Sequence, residues 1–217
     1  MVWSDIGCPW AHLAVHRLHR ARERLGFVDQ VAFEHLAFPL ELSNHSCTRK
    51  VMLEAEMPVV GGLDPEAGWQ LWQRHDWEWP VTMLPPLEAV RAARLQSPRA
   101  AENLDRALRH AFWADSQCIS MRHVILEIAD GCAGIDAAVL TADFDSGVAR
   151  QRVIDEWRRS MLDDVKGSPH LFLPDGTDAH NPGISMHWEG AYGVGFPKID
   201  ADDPSVYDDL LTRAATA

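Results

Sequence analysis

The sequence predicts an α/β fold carrying a large helical insertion. Three observations point to it. Residues 1–38 read strand–helix–strand. Residues 45–142 contain almost nothing strand-like. From residue 148 the chain reads helix–strand–turn–helix.

Met1-Val2-Trp3-Ser4 is a very short strand and Asp5-Ile6-Gly7 a turn. From Trp10 to Leu25, Ala14, Leu18, Ala21 and Leu25 recur on one helical face, and Gly26 supplies the C-cap. Residues 31–38, VAFEHLAF, have the length and composition of a strand, which Pro39 closes. Arg49–Met57, Pro65–Arg74, Leu87–Gln96, Pro98–Trp113 and Met121–Ala129 follow as helices. Pro58, Gly61-Gly62, Pro85-Pro86 and Pro98 bound them. A longer helix, Val148–Leu162, leads to a strand at His170–Leu173 and a turn at Pro174-Asp175-Gly176, where proline presets φ and glycine admits positive φ. The last helix starts at Pro204 with Asp203 as N-cap and turns Val206, Leu210 and Ala214 inward. A β–α–β start implies a parallel strand pair, and a closing hairpin implies a mixed sheet. The order is thus β–α–β, a helical block, then α–β–turn–α.

A chain of 217 residues can bury a sizeable core, and its 47% apolar and 24% charged residues are ordinary for a globular protein. The net charge of −12 argues against nucleic-acid binding, which needs clustered Lys and Arg. No apolar run is long enough for a membrane span, and no signal peptide is visible at the N-terminus. The first strand is so short that it leaves room for a start upstream. Cys8, Cys47, Cys118 and Cys132 are too few and too scattered for a disulfide framework, which favours the reduced cytoplasm.

The chemistry concentrates in DIGCPWAH, residues 5–12. A cysteine at a helix N-cap, followed by proline at the first helical position, has its sulfur among backbone N–H groups that lack partners. That terminus contributes about 0.3–1 kcal/mol, up to about 2 when partly buried, enough to move a thiol from about 8.5 to about 7.5. His12, one turn along, could add a cation and is the candidate partner of Cys8. His16 and His19 read as solvated surface, and the histidine stripe lacks the carboxylate or cysteine a metal site would need. Cys47, Cys118 and Cys132 read as small buried hydrophobes, with Cys47 the first candidate to pair with Cys8. Trp69 and Trp72 would share a helix face in the core. Others of Trp77, Trp79 and Trp113 could wall a cleft opposite Cys8. His170, His180 and His187 are too loosely spaced for a metal.

Ser168-Pro169, between a helix and a strand, is a second signal. Together with Cys8-Pro9-Trp10 it resembles the DsbA-like branch of the thioredoxin superfamily. That branch includes cytoplasmic DsbA-type oxidoreductases, mycothiol-dependent relatives, kappa-class glutathione transferases and 2-hydroxychromene-2-carboxylate isomerases. The resemblance covers nearly the whole chain and implies a thioredoxin-like fold, a discontinuous unit of 1–44 with 143–217, with the α-helical insertion at 45–142. It implies that Cys8 is the nucleophile, Pro9 and Trp10 the intervening dipeptide, and Pro169 a cis-proline that lets the Ser168 backbone face an extended sulfur substrate. Two departures matter. Ala11 stands where the second cysteine would be, and HNPGISMHWEGAYGVGFPKID intervenes before the last helix.

The resulting expectation is a cytoplasmic monothiol oxidoreductase. Cys8 and His12 would be catalytic, and Pro9, Trp10, Ala11, Ser168 and Pro169 would bind the thiol or substrate. A low-molecular-weight thiol, glutathione or mycothiol, would be the co-substrate, with no metal. The partners would be a small thiol and a disulfide or small hydrophobic molecule, not nucleic acid or membrane, with a homodimer allowed. Two other readings stand beside it: a thiol-cofactor-dependent transferase or isomerase acting on a small hydrophobic substrate, and a degenerate, non-catalytic thioredoxin module.

Overall fold

Strand β1 (Val2–Ser4) leads directly into helix α1 (Pro9–Arg24), and the chain returns through β2 (His35–Ala37). A computed structural model describes residues 1–162 and 164–217. β1 pairs in parallel with β2, Val2 opposite His35, and antiparallel with β3 (His170–Phe172). β4 (Asp178–His180) completes a mixed sheet in the order β2-β1-β3-β4. The alternation of a strand sorts the side chains of β1. Val2 joins Ala14, Leu18, Leu171 and Leu210 in one core cluster, with α1 and the last helix, α9 (Val206–Thr216). Trp3 joins Leu36 and Phe38 in another, with the Arg159 guanidinium 4.9 Å from its ring.

Between β2 and β3 lie a four-residue helix, α2 (Leu40–Ser43), then α3 (Lys50–Leu63), α4 (Leu84–Gln96), α5 (Pro98–Trp113), α6 (Arg122–Asp130), α7 (Ala137–Ser146) and α8 (Val148–Ser160). Leu87, Val90, Leu104, Leu108, Ile125 and Leu140 form the interior of this block. Buried ions tie it to the sheet. Arg109 on α5 forks onto Asp105 and donates to the Asp5 carbonyl (3.0 Å) and the Ser4 hydroxyl (2.8 Å). Glu156 on α8 accepts the Ala37 N–H at 2.8 Å.

Several elements differ from the sequence reading. α3 does not stop before Pro58 but runs through it to Leu63. Pro58 sits on the exposed side, where the carbonyl it leaves unpaired can reach water. The absent Cβ of Gly61 makes room for Trp69, whose Cγ would lie 3.1 Å from such an atom. No helix spans 65–74. Only a 3-10 turn, Pro65–Ala67, forms, and the next segment runs beside α5, with the Gln70 N–H on the Trp113 carbonyl at 2.8 Å. Trp69 and Trp72 therefore do not share a helix face, though both pack against the helical core. α7 falls in a stretch assigned no element. The strand expected over 31–38 shrinks to three residues.

The segment before the last helix forms a two-stranded antiparallel hairpin, β5 (Ile184–Glu189) with β6 (Phe196–Asp202). It packs on α3 and against Cys8, Trp10 and Leu13 through Ile184, Met186 and Ile199. The last helix begins at Val206, not Pro204, because the Asp203 carboxylate caps the turn at Ser205 instead. His19, expected on the surface, is buried at 2% exposure, with Nδ1 against the Arg22 guanidinium and its ring edge-on to Phe33. Of the cysteines read as buried, Cys118 and Cys132 are half-buried and Cys47 is exposed.

Candidate active site

Cys8 is the N-cap of α1 with Pro9 at the first helical position, and its backbone is extended (φ −95°, ψ 118°). Its thiol donates to the Ser168 carbonyl, Sγ···O 3.1 Å. The Ser168–Pro169 peptide bond is cis, and the Pro169 carbonyl accepts the Asn181 N–H at 3.1 Å. Asp5 joins the strand ends beneath this pair. Its carboxylate accepts the N–H groups of Gly7 (2.7 Å) and Leu40 (2.7 Å), and its own N–H donates to the Ser168 hydroxyl at 2.9 Å. Burial pushes the Asp5 carboxyl up to about 6, although those two N–H groups and Arg109 pull it down.

Cys8 opens into a cleft of about 550 Å³ between α1, α3 and the hairpin. Pro9, Trp10 and Ser168 line it, together with Met52, Met186 and Trp188. Ala11 does not line it: the residue is fully buried behind Cys8, in a cluster with Leu13 and Val60.

His12 faces away. It lines a separate cavity of about 480 Å³ with His16, Arg106 and His110. Its Nε2 bonds the carbonyls of Ala67 (2.9 Å) and Gly68 (3.3 Å), and its ring packs against Trp69 and Trp113. Burial, assisted by the Arg109 charge, lowers it to about 3, so the imidazole is neutral. The structure therefore gives the Cys8 sulfur no cation from His12.

The thiol also departs from the acidity expected of a helix N-terminus. Burial pushes Cys8 up to about 12. Ser168 and the Ala11 N–H favour the thiolate, while Glu56 and Asp5 oppose it. A helix terminus is worth about one pKa unit, less than desolvation removes here. The resting sulfur is a thiol.

Glu56 was not singled out in the sequence. It lies on α3 at 5% exposure, lines the cleft with Cys8, and accepts the Trp10 indole N–H at 3.1 Å. Burial pushes its carboxyl up to about 7. A signal was present: Leu53, Glu56, Met57 and Val60 occupy one helical stripe, so an acid stands on an apolar face. Arg49 lines the cleft too and donates to the Gly193 carbonyl at 3.0 Å, fastening the hairpin turn to the start of α3. Cys47 lines the same cleft, with its thiol on the Val81 carbonyl. Among the described residues no group of three His, Cys, Asp or Glu is placed to hold a metal ion, and no helix is long and apolar enough to cross a membrane.

A family model described as a DSBA-like thioredoxin domain matches residues 1–191. No curated protein matches the sequence. Among solved structures, the cytosolic disulfide reductase DsbM from Pseudomonas aeruginosa is similar at 17% identity and a TM-score of 0.64, covering 100% of this chain and 98% of that one. A second structure of it, with GSH, aligns at 14% identity and the same TM-score and coverage. A protein from Streptomyces coelicolor described as a "probable DsbA oxidoreductase" has 19% identity and a TM-score of 0.66, covering 98% and 88% of the two chains. At such identities these likenesses show the fold.

Proposed function

The chain belongs to the DSBA-like thioredoxin family, and from that premise we propose that it is a thiol–disulfide oxidoreductase acting through Cys8 alone, with a low-molecular-weight thiol as co-substrate. The observation that carries the reading is the placement of Cys8 at a helix N-terminus, against the Ser168 carbonyl, at the wall of a cleft large enough for a small thiol, with alanine three residues on. In the reaction Cys8 attacks a disulfide, and an external thiol releases the resulting mixed disulfide. Pro9, Trp10, Ser168 and Pro169 frame the attacked sulfur, and Ala11 backs the nucleophile. The DsbM structure solved with GSH supports glutathione as one candidate thiol; mycothiol is the other. The reading places the protein in the cytoplasm, with 1–44 and 143–217 as the thioredoxin-like unit and 45–142 as the insertion that walls its cleft.

The reduced protein, incubated with glutathione disulfide or mycothiol disulfide, should gain one adduct on Cys8 by intact mass and turn over small mixed disulfides when the thiol is supplied. Cys8→Ser should abolish both. Ala11→Cys should form an internal disulfide and gain dithiol activity, because it supplies at high effective concentration the second thiol that otherwise arrives by collision. Thiol-independent disulfide reduction by the unmodified protein would overturn the reading.

One observation favours a second reading. A thiol that burial holds at about 12, in a wall of Trp10, Met52, Met186 and Trp188, suits a transferase or isomerase in which Cys8 contacts a cofactor's sulfur without redox turnover. Conjugation of an apolar electrophile, with no mixed-disulfide turnover, would select it.

A further inference from the structure

We propose that Glu56 is the acid–base residue of the Cys8 cleft, taking the proton from each attacking thiol and returning it to the sulfur that leaves. The proposal rests on the single-cysteine reading above and adds the group that its proton balance requires.

The cleft poses a proton problem. The Cys8 thiol rests protonated on the Ser168 carbonyl, and a carbonyl cannot carry its proton away. With Ala11 in place of a second cysteine, the thiol that resolves the adduct also arrives protonated. His12, offered by the sequence as a cation beside Cys8, is turned into another cavity with Nε2 on the Ala67 carbonyl, and burial lowers it to about 3, which leaves it a weak base.

Glu56 meets the requirements on geometry. It lines the cleft with Cys8, is buried, and forms no ion pair with any cation among the described residues. The Trp10 indole N–H holds Oε1 at 3.1 Å and so orients the carboxylate. Its position near 7 suits exchange of a proton in both directions at neutral pH. The groups facing it can be named element by element. Cys8 comes from α1, Arg49 and Cys47 from the segment before α3, and Tyr192 from the hairpin turn. Burial raises the Tyr192 hydroxyl, and Glu56 and Cys8 raise it further. The charged residues of β6 are engaged elsewhere: Lys198 with Glu189, Asp200 with His187 and Asp202 with Arg17.

Both half-reactions then balance. In the first, the Glu56 carboxylate takes the Cys8 proton and Sγ bonds one sulfur of the disulfide. The S–S bond breaks, its electron pair goes to the departing sulfur, and Glu56 returns the proton there. Cys8 is oxidised to a mixed disulfide and the departing group is reduced to a thiol. In the second, Glu56 takes the proton of the incoming thiol, that thiol bonds the substrate sulfur, and Cys8 leaves and regains the proton. The disulfide substrate is the only oxidant.

The test measures both half-reactions separately between pH 5 and 9, as adduct formation on Cys8 with glutathione disulfide and its release by glutathione. It uses the wild-type protein, Glu56→Gln and Glu56→Asp. Gln keeps an acceptor for the Trp10 N–H, so the fold is preserved while the base is lost. Wild-type rates should rise through a limb near pH 7. Glu56→Gln should be about 10²-fold slower in both steps at pH 7.5 and lose that limb. The release step alone should recover toward wild type as glutathione ionises by itself, while adduct formation, whose attacking thiol is Cys8, should stay slow to pH 9. Glu56→Asp should retain the limb at a reduced rate. Equal rates and profiles in wild type and Glu56→Gln, or a uniform slowing with the limb unmoved, would overturn the role of Glu56 while leaving the single-cysteine reading intact. Where glutathione gives no adduct or no release, the same series is run with mycothiol and its disulfide. Failure of wild-type Cys8 to form an adduct, or of the matching thiol to release it, with both thiols would overturn both readings.

Discussion

At the scale of single residues, Cys8 and His12, four apart in sequence, part company in space. His12 is one turn from Cys8, yet its Nε2 serves two carbonyls of the 65–68 turn and its ring packs against Trp69 and Trp113. These contacts are structural ones. His12→Asn should leave mixed-disulfide turnover within about threefold of wild type. It should also lower the unfolding free energy by about 1–3 kcal/mol, because the carbonyls lose a buried donor. Parallel urea titrations and turnover assays check this, and a tenfold loss of turnover in a fully folded variant would restore His12 to the chemistry. The place of Cys8 at the helix N-terminus was legible because Cys-Pro at a strand-to-helix turn has local meaning. The direction of its acidity was not, since desolvation depends on which distant residues close the cleft.

At the scale of elements, legibility followed locality. α5 was readable to the residue, since Ser97 caps it by accepting the Ala100 N–H at 2.9 Å and Pro98 begins it. α3 was not, because proline and paired glycines ordinarily end a helix, and only packing against Trp69 shows why this one continues. The hairpin was hidden for a similar reason. Its glycines and the HNPG turn read as irregular, while its strands alternate half-buried with exposed residues only once α3 is beneath them. Yet it carries Met186, Trp188 and Tyr192 to the cleft, the last two in edge-to-face contact at 5.0 Å. Its closure depends on Gly195, where a Cβ would stand 2.0 Å from the Glu189 carbonyl oxygen. Gly195→Ala should therefore open the turn and displace this wall, raising KM for a small disulfide about tenfold, roughly 1.4 kcal/mol of binding, with kcat little changed. An unchanged KM would show that the hairpin does not contribute to binding.

At the scale of the whole molecule, the buried titratable groups pull stability in opposite directions with pH. Burial holds His12, His19 and His35 neutral, with His12 near 3. The unfolded chain binds protons at these sites below about 6.5 that the fold refuses, so stability falls as pH drops through that range. Asp5 and Glu56 are raised instead, to about 6 and about 7. The fold holds protons there that the unfolded chain has already released, so each contribution is fully present below about pH 4 and is lost as pH climbs toward 7. Glu56 is the informative case because its ionised form is buried with one indole N–H and, among the described residues, no cation. If it is kept for proton transfer, its removal should relieve the fold, as expected where activity requires a destabilised group. Glu56→Gln should match wild-type stability near pH 4.5. Above pH 7.5 it should exceed wild type by up to about 3 kcal/mol, from 1.36 kcal/mol per unit of the upward shift. Urea midpoints at the two pH values give the comparison. A variant less stable than wild type at both would mean that the carboxylate is held for structure, and its buried charge would then need another explanation.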